Sequence, residues 1–205
     1  MIISHTNKFI FFKAPKVAGT STEIFFEQFC DKDIDIVGWR GVFPRPENTT
    51  WYNHKSPLSI KNTLNNQNVW NNYFKFGNVR NPWDRMVSSY FFKKELLGNP
   101  SLQAVSFEDY VKNHQHLYPV SFYTFYSMGE LQEDYKYNMY FIRYENLYQD
   151  ISKICDILNL KPKHNLAHIH KTKRSTDYRT YYNKETKQII EKRYGHDIRL
   201  FNYTY

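Results

Sequence analysis

Cysteine is nearly absent from this sequence of 205 residues. Cys30 and Cys155 stand in apolar helical patterns without metal-ligand spacing, so free buried thiols are expected rather than a disulfide. Seven glycines and eight prolines exclude collagenous and low-complexity chains. No apolar run outlasts Phe9 to Phe12, far too short to span a bilayer. The N-terminus also lacks a signal peptide's cationic start, apolar stretch and cleavage site, so a soluble, cytoplasmic protein without a membrane span is expected. With no repeat, linker or compositional break, residues 1–205 read as a single domain.

Two things are plentiful. Aromatic residues make up 19% of the chain, with 18 Tyr and 16 Phe, a content that excludes disorder. Lys and Arg outnumber Asp and Glu by 28 to 20, and the net charge of +8 favours an anionic partner.

Strand-like and helix-like segments alternate, which predicts an α/β fold. Lys8 to Lys13 reads as a central parallel strand buried on both faces, Ile34 to Val37 as a weaker strand, and Phe74 to Val79 and Met139 to Tyr144 as two more. Helices are expected at Thr20 to Phe29, at Pro57 to Leu64 with Ser56 as N-cap, and from Asn81-Pro82. Further helices are expected from Ser106, over Leu147 to Leu158, and from the cap Asn183 to about Tyr194. The stretch from Pro162 to Tyr182 has neither period and reads as a long basic loop with a function.

Lys13-Ala14-Pro15-Lys16-Val17-Ala18-Gly19-Thr20-Ser21 lies between a buried strand and a helix. At such a turn the first helical amides are unpaired and the helix dipole favours an anion. Gly19 removes a side chain where a ligand would approach, Thr20 and Ser21 add hydroxyls, and Lys16 adds a mobile charge. These features suit a phosphate or sulfate; an ordinary turn capped by Thr20 is the plain alternative. A Walker-type loop needs Lys directly before Ser or Thr, whereas Val17, Ala18 and Gly19 separate Lys16 from Thr20. The strand Phe74 to Val79 runs into Arg80, which suits an anion held without a metal.

Two segments carry a resemblance to a known family. Lys16-Val17-Ala18-Gly19-Thr20-Ser21 resembles the 5′-phosphosulfate loop of sulfotransferases that use 3′-phosphoadenylyl sulfate (PAPS). Val79-Arg80-Asn81-Pro82-Trp83-Asp84-Arg85-Met86-Val87-Ser88-Ser89-Tyr90 resembles their 3′-phosphate segment. The carbohydrate branch is the nearest in style, including the heparan sulfate 2-O-sulfotransferase type. Tyr144-Glu145-Asn146-Leu147, Lys171-Thr172-Lys173-Arg174 and Phe201-Asn202-Tyr203 fit its short bacterial members.

The resemblance implies a P-loop-like α/β domain with a central, mostly parallel sheet flanked by helices. It implies that Val17, Ala18, Gly19, Thr20 and Ser21 hold the phosphosulfate while Lys16 binds it and assists the leaving group. It assigns Arg80 and Ser88 to the 3′-phosphate and Lys171, Lys173 and Arg174 to a loop closing over it. His54 falls where the 2-O-sulfotransferase type carries its base, with Glu23 and Asp177 as substitutes. The Trp that cytosolic members place after the loop to stack adenine is replaced by Thr22, leaving Tyr178, Tyr181 and Tyr182 as candidates. Lys13 reads as a strand-end charge, and His164, His168 and His170 lack the spacing of a metal site, so no metal is expected. Acceptor choice falls to loops at Gly38 to Asn53 and Leu97 to Met128. The rivals are a nucleotide kinase, which would require ATP and magnesium, and a nucleic-acid-binding module.

Overall fold

The computed structural model describes residues 1–41, 46–113, 117–123, 126–127, 130–131, 139–167, 169 and 172–205. It divides into two units, Met1–Val79 with Val120–Ala167, and Arg80–Pro119 with His168–Tyr205.

In the first unit β1 (Ile2–Ser4), β2 (Phe9–Phe12), β3 (Ile36–Val37), β4 (Phe74–Val79) and β7 (Met139–Arg143) form one sheet in the order β3-β1-β2-β4-β7. A separate antiparallel pair is formed by β5 (Tyr126–Ser127) and β6 (Glu130–Leu131). β2 pairs with β4 and β4 with β7 in parallel, while β1 is antiparallel to both its neighbours, so four of the five strands run one way. The period of two along β1 and β2 sends Ile2, Phe9 and Phe11 to one face and Ile3, Ile10 and Phe12 to the other. The first face packs against α1 (Gly19–Glu27) and α6 (Leu147–Ile157), and the second against α2 (Pro57–Leu64) and α3 (Gln67–Asn72). At Gly77 a Cβ would lie 3.1 Å from the Phe12 carbonyl oxygen, so a side chain there would crowd the β2–β4 pairing.

The second unit is helical. Asn81 accepts from the Trp83 amide at 3.1 Å and, with Pro82 in the first turn, starts α4 (Pro82–Phe91), which runs on into a π-helical turn at Phe92–Leu96. Ser106 accepts from the Asp109 amide at 3.0 Å and starts α5 (Phe107–Asn113). Asn183 and Thr186 form a reciprocal capping box before α7 (Lys184–Arg193), and α8 (Gly195–Leu200) follows. Trp83, Val87, Tyr90, Tyr110, Ile190 and Tyr194 form the core.

The aromatic wealth has a packing reason in each unit. In the first, Phe26 and Phe76 meet at 4.8 Å between ring centroids, and Phe9 meets both at 5.5–5.7 Å in tilted and edge contacts. In the second, buried and half-buried tyrosines pair their hydroxyls: Tyr90 donates to the Val105 carbonyl, Tyr182 to that of Trp83 and Tyr194 to that of Leu117, at 2.7–2.8 Å. Tyrosine thus fills apolar volume while satisfying a distant backbone acceptor.

The sequence pattern does not announce β1, α3 or α8, and the Ile34 strand begins only at Ile36. The loop after Pro162 contains a 3-10 turn at Tyr178–Tyr181. Both cysteines are free, and burial pushes the Cys30 thiol up to about 12. Among the described residues no helix is long and apolar enough to cross a membrane.

Candidate active site

In the first unit the loop after β2 turns by means of two left-handed residues, Lys16 (φ 63°) and Ala18 (φ 64°). Each non-glycine residue held there costs on the order of 1 kcal/mol, strain that the surrounding packing must offset. Ala18 is the N-cap of α1 and supplies no side-chain bond, so the plain alternative, an ordinary turn capped by Thr20, does not form. A left-handed residue leading into the first turn of a helix directs successive amides toward one point, a concavity suited to an anion. Thr20 is partly exposed in that turn and Ser21 is buried. The Thr22 hydroxyl donates to the Ala18 carbonyl at 3.3 Å and accepts from the Asn78 amide group of β4 at 2.9 Å, tying the loop to the sheet.

Lys13 is more than a strand-end charge. It is only 4% exposed, and its ammonium donates to Glu23 Oε2 at 2.8 Å and to Asn53 Oδ1 at 3.2 Å. Burial lowers its pKa and the charge of Glu23 opposes the fall. Glu23 also pairs with the Met1 amino group and lies 3.7 Å from Arg40 Nε, so this carboxylate is committed to cations and poorly placed to act as a base. Gly19 has a reason beyond ligand approach: a Cβ there would stand 2.7 Å from Lys13 Cγ, across the path of the lysine to Glu23.

His54 comes to the root of the same loop. Its Nδ1 lies 2.8 Å from the Lys13 carbonyl oxygen, which can only accept. The proton therefore sits on Nδ1, and Nε2 is the basic nitrogen. Burial lowers its pKa to about 4, against the bond to the Lys13 carbonyl, and the nearby Lys13 charge lowers it further. His54 is neutral at pH 7.

The second unit carries the other predicted residues. Arg80, 5% exposed, donates from Nε to Asp84 Oδ2 at 2.8 Å. Arg174 Nη1 stands 2.8 Å from Asp84 Oδ1, at an angle that makes an ion pair rather than an aligned hydrogen bond. Ser88 follows Asp84 by one turn on the same face and is the one residue of Pro82–Tyr90 that is not buried. Lys173 is exposed, and its backbone amide donates to Glu95 Oε2 at 3.2 Å. Lys171 lies outside the described residues, as do His168 and His170. Tyr182 and Tyr181 pack into the core of this unit, and Tyr178 accepts from the Asn81 amide group at 3.1 Å. Asp177 accepts from the Arg179 amide, capping the 3-10 turn. Among the described residues no three His, Cys, Asp or Glu side chains stand together as a metal site would require.

Sequence reasoning missed Lys13, Asn53 and Asp84 as members of these clusters. Lys13 and Asn53 find partners 10 and 40 positions away, and Asp84, one turn from Arg80, has its second partner Arg174 90 positions away, so no local period signals the clusters.

The model of the sulfotransferase family matches residues 1–204. The crystal structure of mouse sulfotransferase SULT7A1 complexed with PAP is similar at 14% identity and a TM-score of 0.55, covering 98% of this chain and 90% of that one. That likeness shows a shared P-loop-like α/β fold. No curated protein matches the chain. On the family match over almost its whole length, the chain belongs to the sulfotransferase family.

Proposed function

We propose that this protein moves a sulfuryl group from PAPS to a hydroxyl of a carbohydrate acceptor, and that residues 1–205 act as one sulfotransferase domain in the cytoplasm. The observation that carries the reading is His54 hydrogen-bonded to Lys13, three residues before Lys16 on the loop that opens onto α1. The mouse relative's complex with PAP supports a nucleotide of this kind.

The phosphosulfate occupies the concavity of Val17, Ala18, Gly19, Thr20 and Ser21. Arg80, Ser88, Arg174, Lys173 and Lys171 bind the 3′-phosphate. As the acceptor oxygen attacks sulfur, His54 Nε2 takes the hydroxyl proton, an S–O bond to the acceptor forms, and the bridging S–O bond to the 5′-phosphate breaks. Lys16 neutralises the charge growing on that phosphate, an interaction stronger in the transition state than in the ground state. Adenosine 3′,5′-bisphosphate leaves. No step calls for a metal ion. The net charge of +8 supports an acidic sugar as acceptor.

Lys16→Ala tests the chemistry. Turnover of PAPS with a panel of acidic polysaccharides should fall by at least about a thousandfold, with donor binding weakened but measurable. Full activity in this variant would remove Lys16 from the mechanism. A thermal shift series separates the rivals: stabilisation by adenosine 3′,5′-bisphosphate supports the proposal, by ATP with magnesium a kinase, and by single-stranded DNA alone a nucleic-acid module.

A further inference from the structure

We infer that Asp84 is a positioning residue: it sets the guanidinium groups of Arg80 and Arg174 on the face of α4 that carries Ser88, so that a phosphate monoester is recognised there. The inference rests on the donor-binding proposal above and extends it to a residue that does not touch the ligand.

Four observations carry it. Asp84 is 7% exposed and gives one carboxylate oxygen to each arginine, Oδ2 to Arg80 Nε and Oδ1 to Arg174 Nη1, both at 2.8 Å. The two arginines are 94 positions apart in the chain, and a shared carboxylate offsets the repulsion that would otherwise drive these like charges away from each other. The Arg174 contact is close in distance but not aligned as a hydrogen bond, so the pair holds the guanidinium near without spending a directed N–H on it. Ser88 lies one turn along the same face. An acid serving only the helix dipole gains its benefit while solvated; Asp84 is instead enclosed between two cations. Held this way, the cluster keeps a net positive charge that a dianionic phosphate can satisfy.

The experiment compares adenosine 3′,5′-bisphosphate with adenosine 5′-phosphate, which differ only in the 3′-phosphate, by calorimetry on wild type, Asp84→Asn and Asp84→Glu. Asp84→Asn keeps the volume and one acceptor. It should weaken the bisphosphate about tenfold, leave the monophosphate within about twofold, and raise the KM for PAPS at unchanged kcat. Asp84→Glu, which keeps the charge, should recover some of the loss. The Arg80 Nε–H signal in a nitrogen-15 spectrum of free protein should shift in Asp84→Asn. Equal weakening of both ligands would reveal a merely structural role, and no weakening would overturn the inference outright. If wild type binds both nucleotides equally, the donor-binding proposal itself falls, an outcome visible before any substitution is made.

Discussion

His54 shows how a residue acquires chemistry from its surroundings. Its tautomer is fixed by a backbone carbonyl 41 positions away, and burial takes its pKa to about 4, below the ordinary 6.5. Between those values the unfolded chain binds the proton and the folded chain does not. Stability from this group is therefore fully present above pH 6.5 and is lost as pH falls from 6.5 toward 4. Discounted for the partial exposure of His54, the loss is on the order of 1–2 kcal/mol. Urea titrations from pH 4 to 7 should show that slope in wild type and a flatter one in His54→Asn. In the proposed reaction the same depression keeps the base unprotonated, so the acidic limb of kcat/KM should lie near pH 4, and a limb at 6.5 would contradict it. The motif residues were legible because strand, turn and helix start are local. Lys13 was misjudged because Lys at the end of an apolar run reads as a solvated boundary, and only the fold reveals its path past the missing Cβ of Gly19 to Glu23.

Elements with chemical punctuation could be read almost to the residue. Ser56 accepts from the Ser59 amide at 3.3 Å and α2 starts at Pro57; Asn81, Ser106 and Asn183 begin their helices in the same way. Elements defined by a partner could not. β1 is three residues long and exists because it pairs with both β2 and β3. The π-helical turn at Phe92–Leu96 continues the pattern of α4 without any break in composition. Asn81 does more than a cap, because its amide group also donates to the Thr204 carbonyl at 2.8 Å and to the Tyr178 hydroxyl at 3.1 Å. Losing a cap costs about 1 kcal/mol, and losing two further part-buried hydrogen bonds adds to it. Asn81→Ala should therefore lower stability by about 2–3 kcal/mol in chemical denaturation, whereas Asn183→Ala should cost nearer 1 kcal/mol. Equal losses would mean that the bonds to Tyr178 and Thr204 contribute nothing.

For the whole molecule, the absence of a linker reads as one domain, and within it the chain makes two compact units and passes between them at Val79–Arg80, Pro119–Val120 and Ala167–His168. Those crossings are ordinary sequence, one at the very start of the 3′-phosphate motif, so composition could not expose them. The charge of +8 is distributed in an equally illegible way. Lys13 and Arg40 face Glu23, while Arg80 and Arg174 face Asp84, so the cations at the candidate site are largely countered from within. The excess lies mostly on exposed lysines such as Lys173 and Lys184. Exposed charges are screened at a Debye length of about 10 Å in 0.1 M salt, and buried pairs far less. A donor held by buried arginines should thus lose less than about tenfold in affinity between 50 and 200 mM salt, measured with adenosine 3′,5′-bisphosphate. A protein making many phosphate contacts to nucleic acid would lose about a thousandfold over the same range. A steep slope for the nucleotide would place most of its contacts on exposed lysines such as Lys173, with Arg80 and the loop of Lys16 contributing little.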